Sequence, residues 1–339
     1  MVRQISSEDA CTSTLESVSD GRSGSVPARD GSLVLVTGGA GFLGSAVVRR
    51  ALARGYEVVA VVRPGGDPCR LTSIGSGCRV VEADLVDVDC LTSLIRHEQP
   101  DLVFHTAANA AAVAHPKGTA QRATAWRDNV TATLMLLDAL AVAPGASLVH
   151  VGSGTEYGPS DAPMSEDRTG QPITLRGATK LATTVAVRQW AVEQDRRAVI
   201  VRPFSIYGPR EHDFKLIPTL LRCAALGEPF PMLAGTSRRD LVYVDDVADG
   251  CFRAATVATF DAPIINLGTG IEHTVEDVVD AVERATGRDI RIARSARAVQ
   301  PHDAAHWVAD TSRCREMLGW VPPTTLSEGL LQLASRSNP

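Results

Sequence analysis

One short segment constrains this chain more than any other: Thr37-Gly38-Gly39-Ala40-Gly41-Phe42-Leu43-Gly44, which joins the apolar run Leu33–Val36 to the helical pattern Phe42–Arg54. Glycines at 38, 41 and 44 fall between a strand and the helix that follows it. The first permits a tight turn, the second a close main-chain approach, and the third a helix packed hard against its strand. Downstream the same alternation repeats. Apolar runs at Val58–Val62, Arg79–Val81, Leu102–His105, Leu148–Val151 and Ala198–Val201 read as strands. Cys90–His97, about Ala120–Ala143 and about Gly177–Gln194 read as helices. Strands that are apolar throughout and separated by helices predict a parallel sheet covered on both faces, a Rossmann-type doubly wound α/β fold.

Three segments follow from the pattern. Residues 1–31 hold many Ser, Asp, Gly and Arg, bury too little to order themselves, and are expected to be a disordered extension. Residues 32–203 form the Rossmann domain. Residues 204–339, broken by Pro209, Pro218, Pro229 and Pro231, form mostly a smaller α/β substrate lobe interleaved with the first, with a helix at Val275–Thr286, a strand near Ile290 and a final helix at Thr325–Leu333.

The glycine turn has a chemical reading. With no side chains in the way, the helix N-terminus points its free N–H groups at a pyrophosphate, so the turn is expected to hold a dinucleotide. The second strand ends Val61-Val62-Arg63-Pro64, without the carboxylate that would bind a ribose 2′-hydroxyl. Arg63, with Arg70 near it, suits a 2′-phosphate, which favours NADP(H) over NAD(H); a solvated surface arginine is the alternative.

Composition removes other classes. A net charge of -5 over 339 residues offers nothing to nucleic acid or an anionic membrane surface. No apolar run approaches the roughly 18 residues of a membrane helix. Seven scattered cysteines without a CxxC spacing indicate reduced, cytoplasmic usage. His302 and His306 are spaced for one helix face, but nothing else of ligand character stands near them, so no metal is expected. Trp190, Trp307 and Trp320 are expected in the core.

Further landmarks come in order: Asp84-Leu85, His105-Thr106-Ala107-Ala108, Asn129, Ser153 to Gly158, Gly177-Ala178-Thr179-Lys180, Arg202-Pro203-Phe204, Tyr207-Gly208-Pro209, Arg239-Asp240 with Tyr243-Val244-Asp245-Asp246-Val247, Asn266-Leu267-Gly268 and Leu318-Gly319-Trp320. From about Leu33 to Leu330 the chain resembles the extended short-chain dehydrogenase/reductases, in their NAD-dependent epimerase/dehydratase branch acting on nucleotide sugars. The resemblance implies a cofactor against Gly38, Gly41, Phe42, Leu43, Gly44, Arg63, Asp84, Leu85, Ala107, Ala108, Lys180 and Pro203. It implies a substrate, a nucleotide-linked sugar, against Ser153, Arg210 and Arg239, and a homodimer built on the two long helices. Keto-reduction or epimerisation is the activity expected.

The family's chemistry rests on a Ser/Thr, a Tyr and a Lys, the last two as Tyr-x-x-x-Lys on one helix face. Ser153 and Lys180 match. Arg176 stands where the tyrosine belongs, and none of Tyr56, Tyr157, Tyr207 and Tyr243 has a lysine four residues on. A guanidinium stays protonated and cannot exchange that proton, though it can stabilise an oxyanion. Thr155, water or a substrate group is left to move the proton. The Asp-Glu pair that dehydratases carry is replaced by Gly154-Thr155, which argues against loss of water. Two alternatives stand beside redox chemistry: a non-redox reaction with Arg176 as electrostatic catalyst, and a non-catalytic cofactor-binding homologue.

Overall fold

All five residues of β2 (Leu33–Thr37) are buried, as a strand with helices on both its faces must be. The computed structural model describes residues 3–5, 32–72, 74, 77–109, 118–233, 238–295 and 306–336. In it β2 pairs in parallel with β3 (Glu57–Val62) on one side and β5 (Leu102–His105) on the other. The sheet extends through β4 (Cys78–Glu82) at one end, and through β6 (Ser147–Val151), β7 (Ala198–Pro203) and β11 (Ile264–Leu267) at the other. The strand order is therefore 4-3-2-5-6-7-11, all parallel. Within the extension expected to lack structure, β1 (Arg3–Ile5) adds an antiparallel edge beside β4; the rest of residues 1–31 lies outside the described residues.

Alternate residues of each strand feed two cores. Val34, Val36, Val58, Ala60 and Phe104 meet α1 (Phe42–Ala53) and α7 (Val244–Ala255). Leu35, Val59, Val103, Leu148 and Ile200 meet α2 (Val88–Glu98), α4 (Ala132–Ala139) and α5 (Leu175–Glu193). Asp249 on α7 ties the two helices of the first face together by accepting from Arg50 and, at 2.6 Å, from Arg54. The long helix expected at Ala120–Ala143 is interrupted. It runs as α3 (Thr119–Trp126), a π turn at Arg127–Thr131, and then α4. The widened turn brings Asn129 inward, where its Oδ1 accepts from Asn109 N at 2.7 Å and its Nδ2 donates to Thr179 Oγ1 at 3.1 Å. Such turns recur at functional sites.

The C-terminal half is divided between two bodies. Helix α7 and strand β11 belong to the main sheet, and α9 (Ser312–Leu318) packs on β11. The remainder surrounds β10 (Arg238–Tyr243), which pairs with β8 (Ser205–Tyr207) and β14 (His306–Trp307) in parallel and with β12 (Glu272–Thr274) antiparallel. Helices α6 (Leu216–Leu226), α8 (Val275–Thr286) and α10 (Leu326–Arg336) close over Ile217, Leu220, Val278, Val282 and Leu330. The strand expected near Ile290 is β13 (Ile292–Ser295), paired with β9 (Phe230–Leu233); Ile290 itself is a core residue just before it. Trp190 and Trp307 are buried, and Trp320 packs against the first core. The six described cysteines are all free.

Candidate active site

The strand order reverses at β2. The chain leaves outward through β3 and β4 and returns to β5 on the other side of β2. Diverging connections at such a point leave a crevice at the carboxyl ends of the strands, the usual seat of a nucleotide in an open α/β sheet. The glycine turn forms one wall. Gly38 has a φ of 69° and donates to Val61 O at 2.9 Å. A Cβ there would lie 2.7 Å from Ala107 Cα, and one on Gly44 would lie 2.1 Å from Gly38 O. Gly39, which falls outside the GxxGxxG spacing, is equally constrained: its Cβ would meet Ala60 on β3 at 2.7 Å. Helix α1 starts at Gly41 with no side-chain cap and no acidic residue in its first turn. A bare, positively polarised helix end over a floor that tolerates no side chain fits a dinucleotide pyrophosphate.

Around this floor the expected cofactor residues take distinct positions. Ala107 abuts Gly38, whereas Ala108 is exposed beside it. Arg63 is exposed at the end of β3 with no ion pair among the described residues. Asp84 carries an ion pair with Arg127 at 2.9 Å, and Leu85 lies half-buried after it. Pro203 is buried at the end of β7, opposite Leu267.

The opposite wall is built from side chains. After β6, Ser153 caps a single 3-10 turn, Gly154–Glu156. Its Oγ lies 2.8 Å from Thr155 Oγ1, and its N–H donates to Glu156 Oε1 at 2.8 Å. Glu156, fully buried, also accepts from Thr184 at 2.8 Å and from Arg202 at 2.9 and 2.7 Å. This buried pair holds the Ser153 turn rigid against β7. From sequence alone Glu156 is an acid without a role, because its partners lie 28 and 46 residues away.

Helix α5 lies against that turn; a Cβ on Gly177 would meet Thr155 O at 2.3 Å. Its Lys180 is buried and donates from Nζ to Val151 O at 2.6 Å. Burial first, then Arg176 one turn away, pull the ammonium down from 10.5 to about 8, against an opposing pull from Glu156. Beneath it His105 sits between Thr37 Oγ1 at 2.7 Å and Thr133 Oγ1 at 2.9 Å. Burial and Lys180 lower its pKa to about 3, so the ring is neutral.

Arg176 is half-buried in the first turn of α5, and its guanidinium has no hydrogen-bond acceptor among the described residues. The four tyrosines pack elsewhere. Tyr157 is buried with its hydroxyl on Asn266 Oδ1 at 2.7 Å, and burial pushes its pKa up to about 12. Tyr56 stacks on Phe252, and Tyr207 and Tyr243 pack edge to face inside the smaller lobe.

Residues 34–268 match the sequence model of the NAD dependent epimerase/dehydratase family. The chain belongs to that family. The UDP-glucose 4-epimerase of Mycolicibacterium smegmatis is 32% identical over 87% of this chain and 95% of that one. UDP-glucose 4-epimerase 3 of Oryza sativa is 31% identical over 86% and 85%. Among solved structures, the Thermotoga maritima UDP-glucose 4-epimerase with UDP-glucose superposes with a TM-score of 0.81 at 26% identity, covering 89% of this chain and 97% of that one. MoeE5 in complex with UDP-glucuronic acid and NAD superposes with 0.78 at 31% identity, covering 90% and 99%.

Lys180 Nζ donates to Val151 O, two residues before Ser153, and Arg176 stands one turn before Lys180 on α5. The two other arginines expected at the substrate stand apart. Arg239 on β10 donates to Arg238 O at 3.2 Å and lies over Trp307. Arg210, at a φ of 66°, exchanges hydrogen bonds with Arg70: each guanidinium donates to the other's carbonyl at 3.0 Å. That clasp joins the loop after β3 to the loop after β8 and takes up Arg70, leaving Arg63 alone as the free cation at the end of β3 among the described residues. His306 pairs with Glu272 at 2.8 Å; His302 lies outside the described residues, which contain no metal-binding cluster.

Proposed function

We propose that this chain is an NAD(P)-dependent enzyme of nucleotide-linked sugars, acting by keto-reduction or epimerisation, with NADP(H) favoured over NAD(H). The observation that carries the reading is Lys180, buried and bonded to Val151 O at the end of β6, which the Ser153–Thr155 hydroxyl pair follows. A dinucleotide held there would supply the hydride chemistry. Lys180 holds the nicotinamide ribose, Ser153 orients the reacting oxygen, and Thr155 passes that oxygen's proton toward water. The relatives support the substrate class: they are UDP-glucose 4-epimerases, and the solved neighbours carry UDP-glucose, UDP-glucuronic acid and NAD. Arg63 supports the cofactor preference. Arg239 and Arg210 are assigned to the substrate diphosphate, and residues 204–339 to most of the substrate lobe.

The test is association, then turnover. Calorimetry with NAD+, NADH, NADP+ and NADPH, together with mass analysis of any nucleotide carried through purification, should find one bound. Incubation with UDP-glucose, followed by proton NMR, or with a nucleotide-linked keto-sugar and NADPH should show conversion that Lys180→Ala lowers by roughly 100-fold or more. No association with any of the four dinucleotides sinks the reading.

A second reading rests on Arg176. Turnover without net oxidation of cofactor, lost in Arg176→Ala, would identify it as the electrostatic catalyst of a non-redox reaction. We also infer a homodimer: Trp126 (43% exposed), Leu134 (39%), Val185 (60%) and Val192 (64%) leave apolar surface on α3, α4 and α5. Free cysteines favour a reducing, cytoplasmic setting, and no helix among the described residues is long and apolar enough to cross a membrane.

A further inference from the structure

Two loops that leave the main sheet far apart are tied to each other across the crevice. Strand β3 stops at Val62 and runs on through Arg63 to Thr72; β7 stops at Pro203, and β8 follows it before the turn at Gly208–Arg210. Between β3 and β7 stand β2, β5 and β6, after whose carboxyl ends come Gly38, Ala107 and Ser153. Strands about 4.8 Å apart separate β3 from β7 by roughly 19 Å. The two loops nonetheless meet. Arg70 Nε donates to Arg210 O, and Arg210 Nη1 to Arg70 O, each at 3.0 Å. Both segments leave the sheet at its carboxyl edge, so the contact closes an arch over the strand ends between them.

The arch has fixed mounts. Leu71, next to Arg70, is buried in the core that α1 covers, and its N–H donates to Pro68 O at 2.7 Å. Thr72 Oγ1 donates to Cys69 O at 2.8 Å. On the other side a Cβ on Gly208 would lie 2.5 Å from Val244 Cγ1, at the start of α7, which packs beside α1. Arg210 itself holds a φ of 66°, a left-handed conformation that strains any residue with a Cβ and that glycine takes freely. An arginine there is accounted for by its two ends, since its carbonyl accepts from Arg70 and its guanidinium donates back.

We propose that the Arg70–Arg210 clasp is a strap that keeps the dinucleotide in the crevice from one turnover to the next and opens only for cofactor exchange. The proposal rests on the dinucleotide reading above. Two surface hydrogen bonds from charged donors open by thermal motion, yet they slow whatever must pass them. They use only this chain's own atoms, so the strap hinders entry and exit alike and sets rates rather than affinity. A retained cofactor also decides between the two reactions left open. Epimerisation removes a hydride and a hydroxyl proton from the sugar and returns both to the ketone, so the cofactor ends as it began. Keto-reduction spends one reduced cofactor per turnover, and the strap would have to open every time. The strap favours epimerisation.

The experiment measures two rates on the full-length protein. NADPH and NADH are followed by nicotinamide fluorescence, association by rapid mixing and release by a chase with excess NADP+ or NAD+. Wild-type release should be slower than about 0.1 per second, well below an ordinary turnover rate of about 10 per second; faster release overturns retention. Arg70→Ala removes one bond of the clasp. Arg210→Gly removes the other and gives the strained position the residue that tolerates it, so the turn keeps its shape. Release and association should each quicken by roughly tenfold in either variant, with the dissociation constant within about twofold of wild type. Unchanged rates overturn the strap while leaving the dinucleotide reading intact. Faster release with unchanged association would make the two arginines direct cofactor contacts, and overturns it as well. If neither nucleotide associates with wild type or variants, the dinucleotide reading falls and the strap falls with it.

Discussion

The two walls of the crevice are made from different materials. On the glycine side, between β2 and α1, the main chain does the work, and an added methyl group meets backbone atoms within 3 Å at Gly38, Gly41 and Gly44. On the opposite side, from Ser153 to Lys180, ionisable side chains do it, held by Glu156, Arg202 and Thr184. The first wall has no room to vary, because its function is its shape. The second sets its charges on a fixed frame, with Arg176 one turn before Lys180 on α5. A family can therefore keep its fold and cofactor yet alter what it does to a substrate.

The sharpest break of the comparison is on the rigid wall. Gly44→Ala places a Cβ 2.1 Å from Gly38 O and 2.7 Å from Thr106 Oγ1, neither of which can retreat without opening the turn. We expect dinucleotide association to vanish from calorimetry and stability to fall by about 3 kcal/mol. Gly145→Ala is the control, since nothing lies within 4 Å of a Cβ there; it should change stability by less than about 0.5 kcal/mol. Equal effects would mean that glycine content, rather than the turn, matters.

On the other wall the frame is the weak point. Glu156→Ala leaves the Arg202 guanidinium, 3% exposed, without its carboxylate, and should cost about 3 to 5 kcal/mol in urea denaturation. Replacing both partners by apolar residues should recover most of that loss, and failure to recover would show that the pair itself stabilises the turn.

Lys180 separates function from stability. Its drop from 10.5 to about 8 corresponds to about 3 kcal/mol by which the folded state disfavours the charge. The unfolded chain holds the proton up to 10.5 and the folded one only to about 8. Stability from this group is therefore lowest below pH 8 and rises from there toward 10.5. Lys180→Met should raise stability at neutral pH by up to about 3 kcal/mol, flatten the alkaline rise, and abolish turnover. A destabilised variant would instead show that the hydrogen bond to Val151 O outweighs the cost of burying the charge.

How far the sequence reveals these walls follows from how local their causes are. Strands β2 to β7 and the turn at Gly38 are legible because each lies in one continuous segment with its own punctuation. Helix α7 is not, because it follows β10 with no loop: Tyr243 ends the strand and caps the helix. Strand β11 is four residues long and gains its place by pairing with β7, more than 60 residues away. The expectations for Ser153, Arg176 and Lys180 come from the family resemblance, which aligns them with its Ser/Thr, Tyr and Lys. The role of Glu156 is not legible, since a lone acid in an apolar stretch acquires meaning only from Arg202, 46 residues on. The Arg70–Arg210 clasp spans 140 residues and leaves no local trace.

The smallest expected effect concerns the single place where the rigid wall depends on a side chain. Arg63 stands exposed just beyond β3, where a carboxylate would bind a ribose 2′-hydroxyl, and it has no ion pair among the described residues to distract it. If it meets a 2′-phosphate, Arg63→Asp removes a charge-assisted contact to that group and supplies an acceptor for the hydroxyl. The ratio of NADP+ to NAD+ affinity should then swing toward NAD+ by roughly tenfold, about 1.4 kcal/mol, with the glycine floor unaffected. Competitive calorimetry of the two oxidised cofactors reads the ratio directly. A wild type that already prefers NAD+, with a ratio unmoved by Arg63→Asp, would remove the NADP(H) assignment. It would also leave the turn at Gly38 to hold its cofactor by backbone alone, the comparison between the walls in its strictest form.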